Sequence, residues 1–288
     1  MYDIIIKNSQ LGGLICGIEI AKKKGKVLII DNYKNIDRYA IIFDNDFQWF
    51  KFLTPNLDLD WIESRFSGFK LVNKLISNKG HIVSYNKLIK DFLKKASDVG
   101  IKIINESEFC NNNLNENIDT KITIETSIKN IYQVGNNNIN LFHTIYIEVD
   151  FLNKNPWVLE IKNNKNSQVW IVPLLQNKGI IFIKITKKLS SEEINKVIYK
   201  YTKTYNIKKV IKEDFPLFDN APVKDNKVLF ITTKLLENPV NFDITKQMIL
   251  GKKLGEIIGE ILVWDLPITH LKQYNNYFYQ YSQFLNRF

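Results

Sequence analysis

The chain has 288 residues, 45% hydrophobic and 12% aromatic, which is enough to build one large domain or two intimate ones. Its net charge of +10 reflects either solvated lysines alone or attraction to an acidic partner, and a dispersed lysine pattern without a recognition motif argues against nucleic acid as that partner. No run approaches ~18 uncharged apolar residues, so the sequence predicts no membrane-spanning helix.

The first 32 residues predict a strand, a turn, a helix and a second strand. Residues 4–6 are branched and apolar, residues 14–21 carry apolar side chains at helical spacing, and Gly25 ends the helix. A second apolar run, residues 27–30, stops at Asp31. This order, with an acid at the end of the second strand, is typical of a dinucleotide-binding βαβ unit. The chain enters its first strand without a signal-peptide pattern, so we expect a cytoplasmic location.

The turn in this unit departs from the glycine-rich fingerprint. Where G-x-G-x-x-G is typical, the chain reads Asn8-Ser9-Gln10-Leu11-Gly12-Gly13. Gly13 keeps the glycine that lets helix and strand pack closely, and Asn8 tolerates left-handed backbone. The Gln10 side chain, however, occupies the space in which backbone would approach a pyrophosphate. The candidate cofactor contacts of this unit are Asn8, Ser9, Gln10, Gly12, Gly13 and Asp31.

A second crossover unit and then a run of β segments follow. Residues 66–76 predict a hairpin arm, and Ser84 is placed to cap a helix whose apolar face ends before Gly100. Short apolar segments then alternate with Asn, Lys, Pro or Gly turns, which predicts an antiparallel sheet inserted into the α/β framework. The predicted strands of this region are residues 81–83, 101–104, 121–126, 128–134, 139–151, 157–162, 168–175 and 179–186.

The last third of the chain predicts three helices. Ser190 and Glu193 form a capping box at the start of the first one. The second, residues 242–262, follows an apolar strand and carries three glycines four residues apart on one stripe, which predicts close packing on a sheet or a neighbouring helix. The third, residues 271–288, has a broad aromatic face that predicts either packing on the same chain or contact with a protein partner, a second copy or a membrane surface.

Cysteine and histidine spacing excludes some chemistry. Cys16 and Cys110 form no disulfide framework, which suits a reducing compartment. His81, His143 and His270 lie far apart in sequence and without cysteine neighbours, so no metal site is predicted. We interpret His81 and His143 as structural residues in strands.

The order of these parts resembles the geranylgeranyl reductase family of FAD-dependent oxidoreductases, within the wider p-hydroxybenzoate-hydroxylase-like fold. Members place an FAD domain first, interrupt it with an antiparallel substrate domain and return to it near the end. The resemblance implies an α/β fold with a Rossmann-like FAD/NAD(P)-binding parallel sheet. It divides the chain into a dinucleotide-binding-like domain (1–50, 80–130 and 210–265), an antiparallel substrate-type domain (51–79 and 131–209) and a C-terminal aromatic helix (266–288).

Three further motifs carry the resemblance. Gly80-His81-Ile82-Val83 matches a family motif that precedes an acid–arginine pair near the flavin, but Ser84-Tyr85 stands where that pair would be. Residues 232–236, Thr-Thr-Lys-Leu-Leu, replace a G-D-A-A-G-like turn whose aspartate binds the ribityl chain. Residues 168–173 resemble the Y-x-W-x-F-P motif that lines an isoprenoid pocket. The resemblance therefore implies further cofactor-side positions at Tyr85, Thr232 and Thr233, and substrate-pocket residues at Trp170 and Pro173.

The sequence resembles the family in the order of its elements, but most positions that contact the flavin carry other residues. Three functional hypotheses follow. In the first, the chain has lost tight FAD binding and is a non-redox binding or partner subunit, that is, a pseudoenzyme. In the second, it is a working FAD-dependent oxidoreductase that reduces double bonds of an isoprenoid lipid, although no catalytic residue can be named. In the third, it is a basic adaptor at an anionic surface such as a membrane, for which net charge is the only support.

Overall fold

The structure is a computed structural model with α-helices, parallel strands and antiparallel strands. It describes residues 2–7, 11–31, 38–44, 47–48, 59–71, 74–111, 120–125, 141–150, 158–164, 167–185, 189–216, 223–224, 227–229 and 244–271. In the described ranges, no helix is both long and apolar enough to cross a bilayer.

The described elements alternate between strands and helices at the two ends of the chain and are mostly strands in the middle. In chain order, the strands are β1 (Ile4–Lys7), β2 (Val27–Asp31), β3 (Tyr39–Phe43), β4 (Ile62–Phe66), β5 (Gly68–Leu71), β6 (Lys74–Ile76), β7 (Gly80–Ser84), β8 (Lys102–Asn105), β9 (Ile122–Glu125), β10 (Leu141–Asp150), β11 (Val158–Asn164), β12 (Ser167–Pro173), β13 (Lys178–Ile185), β14 (Asn206–Pro216), β15 (Val223–Lys224) and β16 (Lys227–Leu229). The helices are α1 (Leu11–Lys22), α2 (Tyr85–Asp98), α3 (Glu106–Asn111), α4 (Ser191–Thr202) and α5 (Ile244–Val263), followed by a short 3-10 helix (Ile268–Leu271).

The first sheet is built on the βαβ unit that opens the chain. Its six strands have the order β15-β16-β9-β1-β2-β8, and all neighbours are parallel except β15 and β16. Alternate side chains of each strand enter two different cores, because successive residues of a strand point to opposite faces. On one face Ile4 and Ile6 pack with α1, α2 and α5, and on the other Ile5 and Leu28 pack with Phe109 of α3.

Helix α5 returns from the end of the chain to pack directly on α1. A Cβ built on Gly251 would lie 2.2 Å from the Gly12 carbonyl oxygen, and one built on Gly255 would lie 2.6 Å from the Cys16 carbonyl oxygen. At Gly259 a Cβ would meet only the Lys23 side chain, at 2.5 Å from its Cδ. Later residues of α5 contact later residues of the α1 region, so α1 and α5 run parallel. They confirm the close packing that the glycine stripe predicts.

The middle of the chain forms two antiparallel layers. A three-stranded sheet, β3-β7-β4, faces a seven-stranded sheet, β14-β10-β13-β12-β11-β5-β6, across a core that includes Ile41, Phe66, Ile82, Trp170 and Phe182. Helix α4 covers the opposite face of the larger sheet, where Ile198 joins a second apolar core. These sheets alongside the parallel sheet confirm the α/β fold with a separate antiparallel part.

Several local sequence signals are confirmed in detail. Ser84 caps α2, since its Oγ accepts a hydrogen bond from the Lys87 backbone N–H. Ser190 and Glu193 form the reciprocal capping box of α4. Strand β14 extends the seven-stranded sheet to Pro216, beyond the predicted domain boundary at residue 210, because it pairs along its length with β10. The predicted strand at 128–134 and nearly all of the predicted helix at 271–288 lie outside the described residues.

Candidate functional site

The candidate site lies at the carboxyl edge of the parallel sheet. Strand β1 ends there at Lys7, β2 ends at Asp31, and α1 begins at Leu11. Helix α2 leads through Gly100 into β8, so its N-terminus at Tyr85 lies at the same edge. Open parallel sheets bind their ligands in the crevice outside this edge, where helix N-termini offer backbone N–H groups to anions.

Asp31 is held at this edge by strand pairing. It is only 8% exposed, and its register partner in β8 is Asn105. A carboxylate at the end of the second strand of a βαβ unit is placed to accept hydrogen bonds from ribose hydroxyls. The structure therefore places Asp31 at the carboxyl edge, and its role as an acceptor for a ribose stays a prediction.

The start of α1 combines an unshielded helix N-terminus with tight packing. Its first turn carries no acidic residue, so no side-chain carboxylate there offsets the positive end of the helix dipole. Gly12 and Gly13 are both buried, and the Gly12 backbone contacts α5 through Gly251. The preceding candidates Asn8, Ser9 and Gln10 lie outside the described residues, as do Thr232 and Thr233.

Tyr85 opens α2 beside a buried arginine that the sequence interpretation missed. The Tyr85 backbone N–H donates to the Arg38 carbonyl oxygen at 2.9 Å, and Arg38 is only 6% exposed. The register of β3 on β7, which pairs Tyr39 with Ser84, brings the two residues together. The available signal was compositional, since Arg38 is one of three arginines in 288 residues and directly precedes a strand.

The buried Arg38 and the N-terminus of α2 are neighbours in the fold. Helix α2 has 14 residues and no acidic side chain in its first turn. A buried cation and the positive end of a helix dipole both favour a nearby anion, because burial reduces the screening that water provides. A phosphate or carboxylate is the kind of ligand that such a pair of groups would bind.

The substrate-pocket candidates lie on the seven-stranded sheet. Trp170 is 4% exposed, and its ring centroid lies 6.5 Å from that of Phe43 in β3 and 6.4 Å from that of Phe69 in β5. The buried indole Nε1–H has no acceptor in the part of the chain that the structure describes. Pro173 ends β12 opposite Gly179. Trp170 thus sits where the two antiparallel layers meet, with one polar atom open to an acceptor.

A second polar group enters the same core from β10. The Tyr146 hydroxyl donates a 2.7 Å hydrogen bond to Glu148, whose carboxylate lies 3.8 Å from Lys209. Burial raises the pKa of Tyr146 well above its usual range, and the hydrogen bond to Glu148 raises it further. The Tyr39 backbone also hydrogen-bonds to this phenol, so Tyr146 links the seven-stranded sheet to β3. It is a neutral hydrogen-bonding group at physiological pH.

His81 is built into the fold rather than into a ligand cluster. Its Nε2 lies 3.2 Å from Asp44 Oδ1, and its ring centroid lies 4.1 Å from that of Phe47. Among the described residues, no group of three or more His, Cys, Asp or Glu side chains is arranged to hold a metal ion.

The described residues fit the sugar and phosphate portions of a flavin dinucleotide. If FAD is bound, Asp31 would accept hydrogen bonds from a ribose, the α1 N-terminus would donate to a pyrophosphate, and Arg38 would add a buried positive charge. The sequence-based candidates for contact with the ribityl chain, Thr232 and Thr233, lie outside the described residues. The fit therefore covers the part of FAD that a βαβ unit normally holds.

Solved structures of low sequence identity share this arrangement. No protein-family model and no curated protein matches the sequence. A geranylgeranyl bacteriochlorophyll reductase-like protein from Thermoplasma acidophilum has a TM-score of 0.76 at 11% identity, over 99% of this chain and 87% of that one. The flavin-dependent brominase Bmp2 has a TM-score of 0.71 at 15% identity, over 96% of this chain and 83% of that one.

A third similar structure contains the cofactor. CtdE, solved with FAD and a substrate, has a TM-score of 0.71 at 11% identity, over 99% of this chain and 87% of that one. The three proteins align with nearly the whole length of this chain, across both the parallel sheet and the antiparallel part. The chain therefore has the fold of the FAD-dependent oxidoreductases.

Proposed function

We propose that the chain is a geranylgeranyl-reductase-like protein that has lost tight FAD binding and acts as a non-redox binding or partner subunit. The observation that carries the proposal is the N-terminus of α2. Tyr85 stands there in place of the family's arginine, and its backbone N–H is already used by the Arg38 carbonyl. By contrast, the contacts that hold the scaffold together, such as that of Gly251 with Gly12, are present.

The replaced contacts are expected to weaken FAD binding substantially. Three positions change: Gln10 replaces a glycine, Tyr85 replaces an arginine, and Thr232-Thr233 replaces a glycine–aspartate turn. Each lost hydrogen bond removes about 0.5–1.5 kcal/mol. At about 1.4 kcal/mol per factor of ten, three losses weaken binding by roughly one to three powers of ten.

The retained binding function is assigned to the core between the two antiparallel layers. Rings from both sheets surround Trp170, and its buried Nε1–H lacks an acceptor in the described part of the chain. An unsatisfied buried donor costs about 1–3 kcal/mol, which a ligand oxygen would recover. An apolar ligand with one acceptor, such as a prenyl lipid bearing a carbonyl or hydroxyl oxygen, has this chemistry.

The alternative is a working flavoenzyme that reduces isoprenoid double bonds, and the specific observation in its favour is the pair Asp31 and Arg38. Both side chains are buried at the carboxyl edge, where they would hold a ribose and a phosphate. In that case FAD would supply the hydride chemistry, and the chain would bind and orient it and exclude water.

Absorbance and FAD titration separate the two functions. Protein purified without added cofactor is expected to be colourless, and isothermal titration with FAD is expected to give a dissociation constant weaker than micromolar. Asp31→Ala and Arg38→Gln then report whether any residual binding uses this edge. Yellow protein carrying stoichiometric FAD, with binding lost in both variants, would reject the first function, and reduction of a prenyl-lipid double bond by that protein would establish the second.

A further inference from the structure

The amino edge of the parallel sheet, opposite the candidate site, has a surface of its own. Helices α1, α2 and α5 all end there, and β1, β2, β8 and β9 all begin there. Short contacts join these ends: the Lys26 backbone N–H donates to Asp3 Oδ2 at 2.9 Å, and the Lys121 backbone N–H donates to the Asp3 carbonyl oxygen at 3.1 Å. We call this the amino-edge surface, defined by Asp3 and residues 19–26, 94–102, 120–122 and 260–268.

Two large apolar side chains project from this surface at the end of α5. Trp264 is 72% exposed and Val263 is 54% exposed. The turn that carries them is fixed by two backbone hydrogen bonds of 3.0 Å, from Trp264 N–H to Glu260 and from Leu266 N–H to Ile261. A tryptophan side chain gains much free energy when it is buried, so it is rarely held in solvent by a hydrogen-bonded turn. We therefore interpret the exposed Trp264 as part of a contact surface.

A cavity opens beside this tryptophan. Its volume is about 630 Å³, and Leu262 and Asp265, which flank Val263 and Trp264 in the sequence, both line it. Its apolar wall comes from Ile261, Leu262, Leu266 and Ile268, while Lys121 lies at its polar side. The amino-edge surface thus combines a protruding indole with an aliphatic recess and a cation.

Positive charge surrounds these apolar features. The segments that form the surface contain eight lysines and five carboxylates, a surplus of three positive charges. Lys24 and Lys26 are exposed on the α1–β2 turn, and Lys121 and Lys102 are exposed at the starts of β9 and β8. The carboxylates are Asp3, Glu19, Asp98, Glu260 and Asp265, of which Glu19 pairs with Lys22 at 2.7 Å, Glu260 with Lys23 at 3.5 Å and Asp265 with Lys121 at 3.9 Å.

We propose that the amino-edge surface docks on an anionic lipid bilayer. Trp264 and Val263 enter the headgroup region, where an indole is favoured because one end is apolar and the other hydrogen-bonds to water. Exposed lysines around them face anionic headgroups, each contributing to attraction near the surface. Charge complementarity with the lysine surplus and with the chain's overall +10 selects an anionic surface over a neutral one. This inference goes beyond the proposed function, since it concerns the opposite edge of the sheet.

Vesicle co-sedimentation of the full chain tests the proposal. We expect binding to phosphatidylcholine vesicles that contain phosphatidylglycerol and much weaker binding to phosphatidylcholine alone. Trp264→Ala is expected to weaken binding to the anionic vesicles by about tenfold. Replacing Lys26 and Lys121 together by Gln is expected to weaken it by about thirtyfold at low salt, with a smaller effect as salt rises.

The matched control is an equally exposed aromatic residue with lysines on another face. Tyr199 in α4 is 68% exposed and lies between the exposed Lys196 and Lys200. Tyr199→Ala and the pair Lys196→Gln and Lys200→Gln should bind anionic vesicles like the parent chain. Thermal unfolding of each variant verifies folding, and quenching of tryptophan emission by brominated lipid should be smaller in Trp264→Ala than in the parent.

Several results would overturn the proposal. These are equal binding to neutral and anionic vesicles, unchanged binding in Trp264→Ala, or a loss of binding that is as large in the α4 controls. Self-association that Trp264→Ala abolishes, without any vesicle binding, would assign the surface to a second copy of the chain instead.

Discussion

Gly251 of α5 lies so close to Gly12 of α1 that a Cβ on Gly251 would fall 2.2 Å from the Gly12 carbonyl oxygen. No L side chain fits between two backbones at that distance. The helix that starts the candidate site is therefore positioned by a helix from the other end of the chain.

Gly251→Ala is expected to destabilise the fold by about 1–3 kcal/mol, because the new methyl group must push the two helix backbones apart. The measurement is the free energy of unfolding in urea. Gly255→Ala should also destabilise, since its Cβ would meet the Cys16 carbonyl oxygen at 2.6 Å. Gly259→Ala is the matched control. Its Cβ would meet only the flexible Lys23 side chain, and alanine gains up to about 1 kcal/mol of helix propensity. Equal effects at all three positions would contradict this packing.

Tyr146→Phe tests the buried phenol through pH. Removing the hydroxyl that donates to Glu148 should cost about 1 kcal/mol near neutral pH. Because burial raises the pKa of the folded-state phenol, the unfolded chain alone ionises above about pH 10, and the parent chain then loses stability. By about pH 11 that loss reaches about 1.4 kcal/mol, so the parent and Tyr146→Phe should converge.

Urea unfolding of both chains between neutral and alkaline pH measures this convergence. Any other group that ionises, Cys16 included, affects both chains alike and cancels in the difference. Tyr199 is exposed, so the free energy of unfolding of Tyr199→Phe should differ from that of the parent by the same amount at every pH. A gap between the parent and Tyr146→Phe that stays constant or widens with pH would argue against a buried, hydrogen-bonded phenol.

Cys16 should be unreactive in the folded chain. It is buried against α5, and burial raises the pKa of its thiol, as the nearby Glu19 charge also does. Because the thiolate is the reactive form, alkylation by iodoacetamide should proceed only as fast as the α1–α5 contact opens. In a Cys110→Ser background, Gly255→Ala should increase the rate at which Cys16 is labelled. Rapid labelling of Cys16 in the Cys110→Ser protein that keeps Gly255 would contradict the burial of Cys16.

The capping box of α4 makes a local prediction. Ser190→Ala removes the acceptor for the Glu193 N–H and should destabilise the chain by about 0.5–2 kcal/mol in urea unfolding. Ser191→Ala, one residue later and exposed, lacks this hydrogen bond and should change stability by less than about 0.5 kcal/mol. An equal effect at both positions would mean that the cap contributes nothing.

Much of the fold could be predicted because its signals are local. The βαβ unit, the cap at Ser84 and the box at Ser190 each need only neighbouring residues, and the structure has all three. The glycine stripe of α5 predicted close packing but not that α1 was the partner, because no local pattern encodes a contact between residues 12 and 251. Strand β14 was not among the predicted strands, because Lys208, Lys209 and Lys212, which suit an edge strand, interrupt the alternation of its apolar residues.

The candidate site could be predicted only in part. Asp31 follows from its place after the second strand, and the structure puts it at the carboxyl edge. Arg38 could not be found this way, because the pairing of β3 with β7, rather than any motif, brings it beside Tyr85. The roles given to Gly12, Gly13, Asp31, Tyr85, Trp170 and Pro173 stay predictions until ligand binding is measured.

The pairing of α1 with α5 also bears on how the chain is made. More than two hundred residues separate the end of α1 from the start of α5. At ~5–20 residues per second on the ribosome, the face of α1 that contacts α5 stays uncovered for roughly 10–45 s after its own synthesis. A nascent chain therefore cannot cover α1 of its βαβ unit until α5 has been synthesised. A chain that terminates before residue 244 lacks the helix that packs on α1.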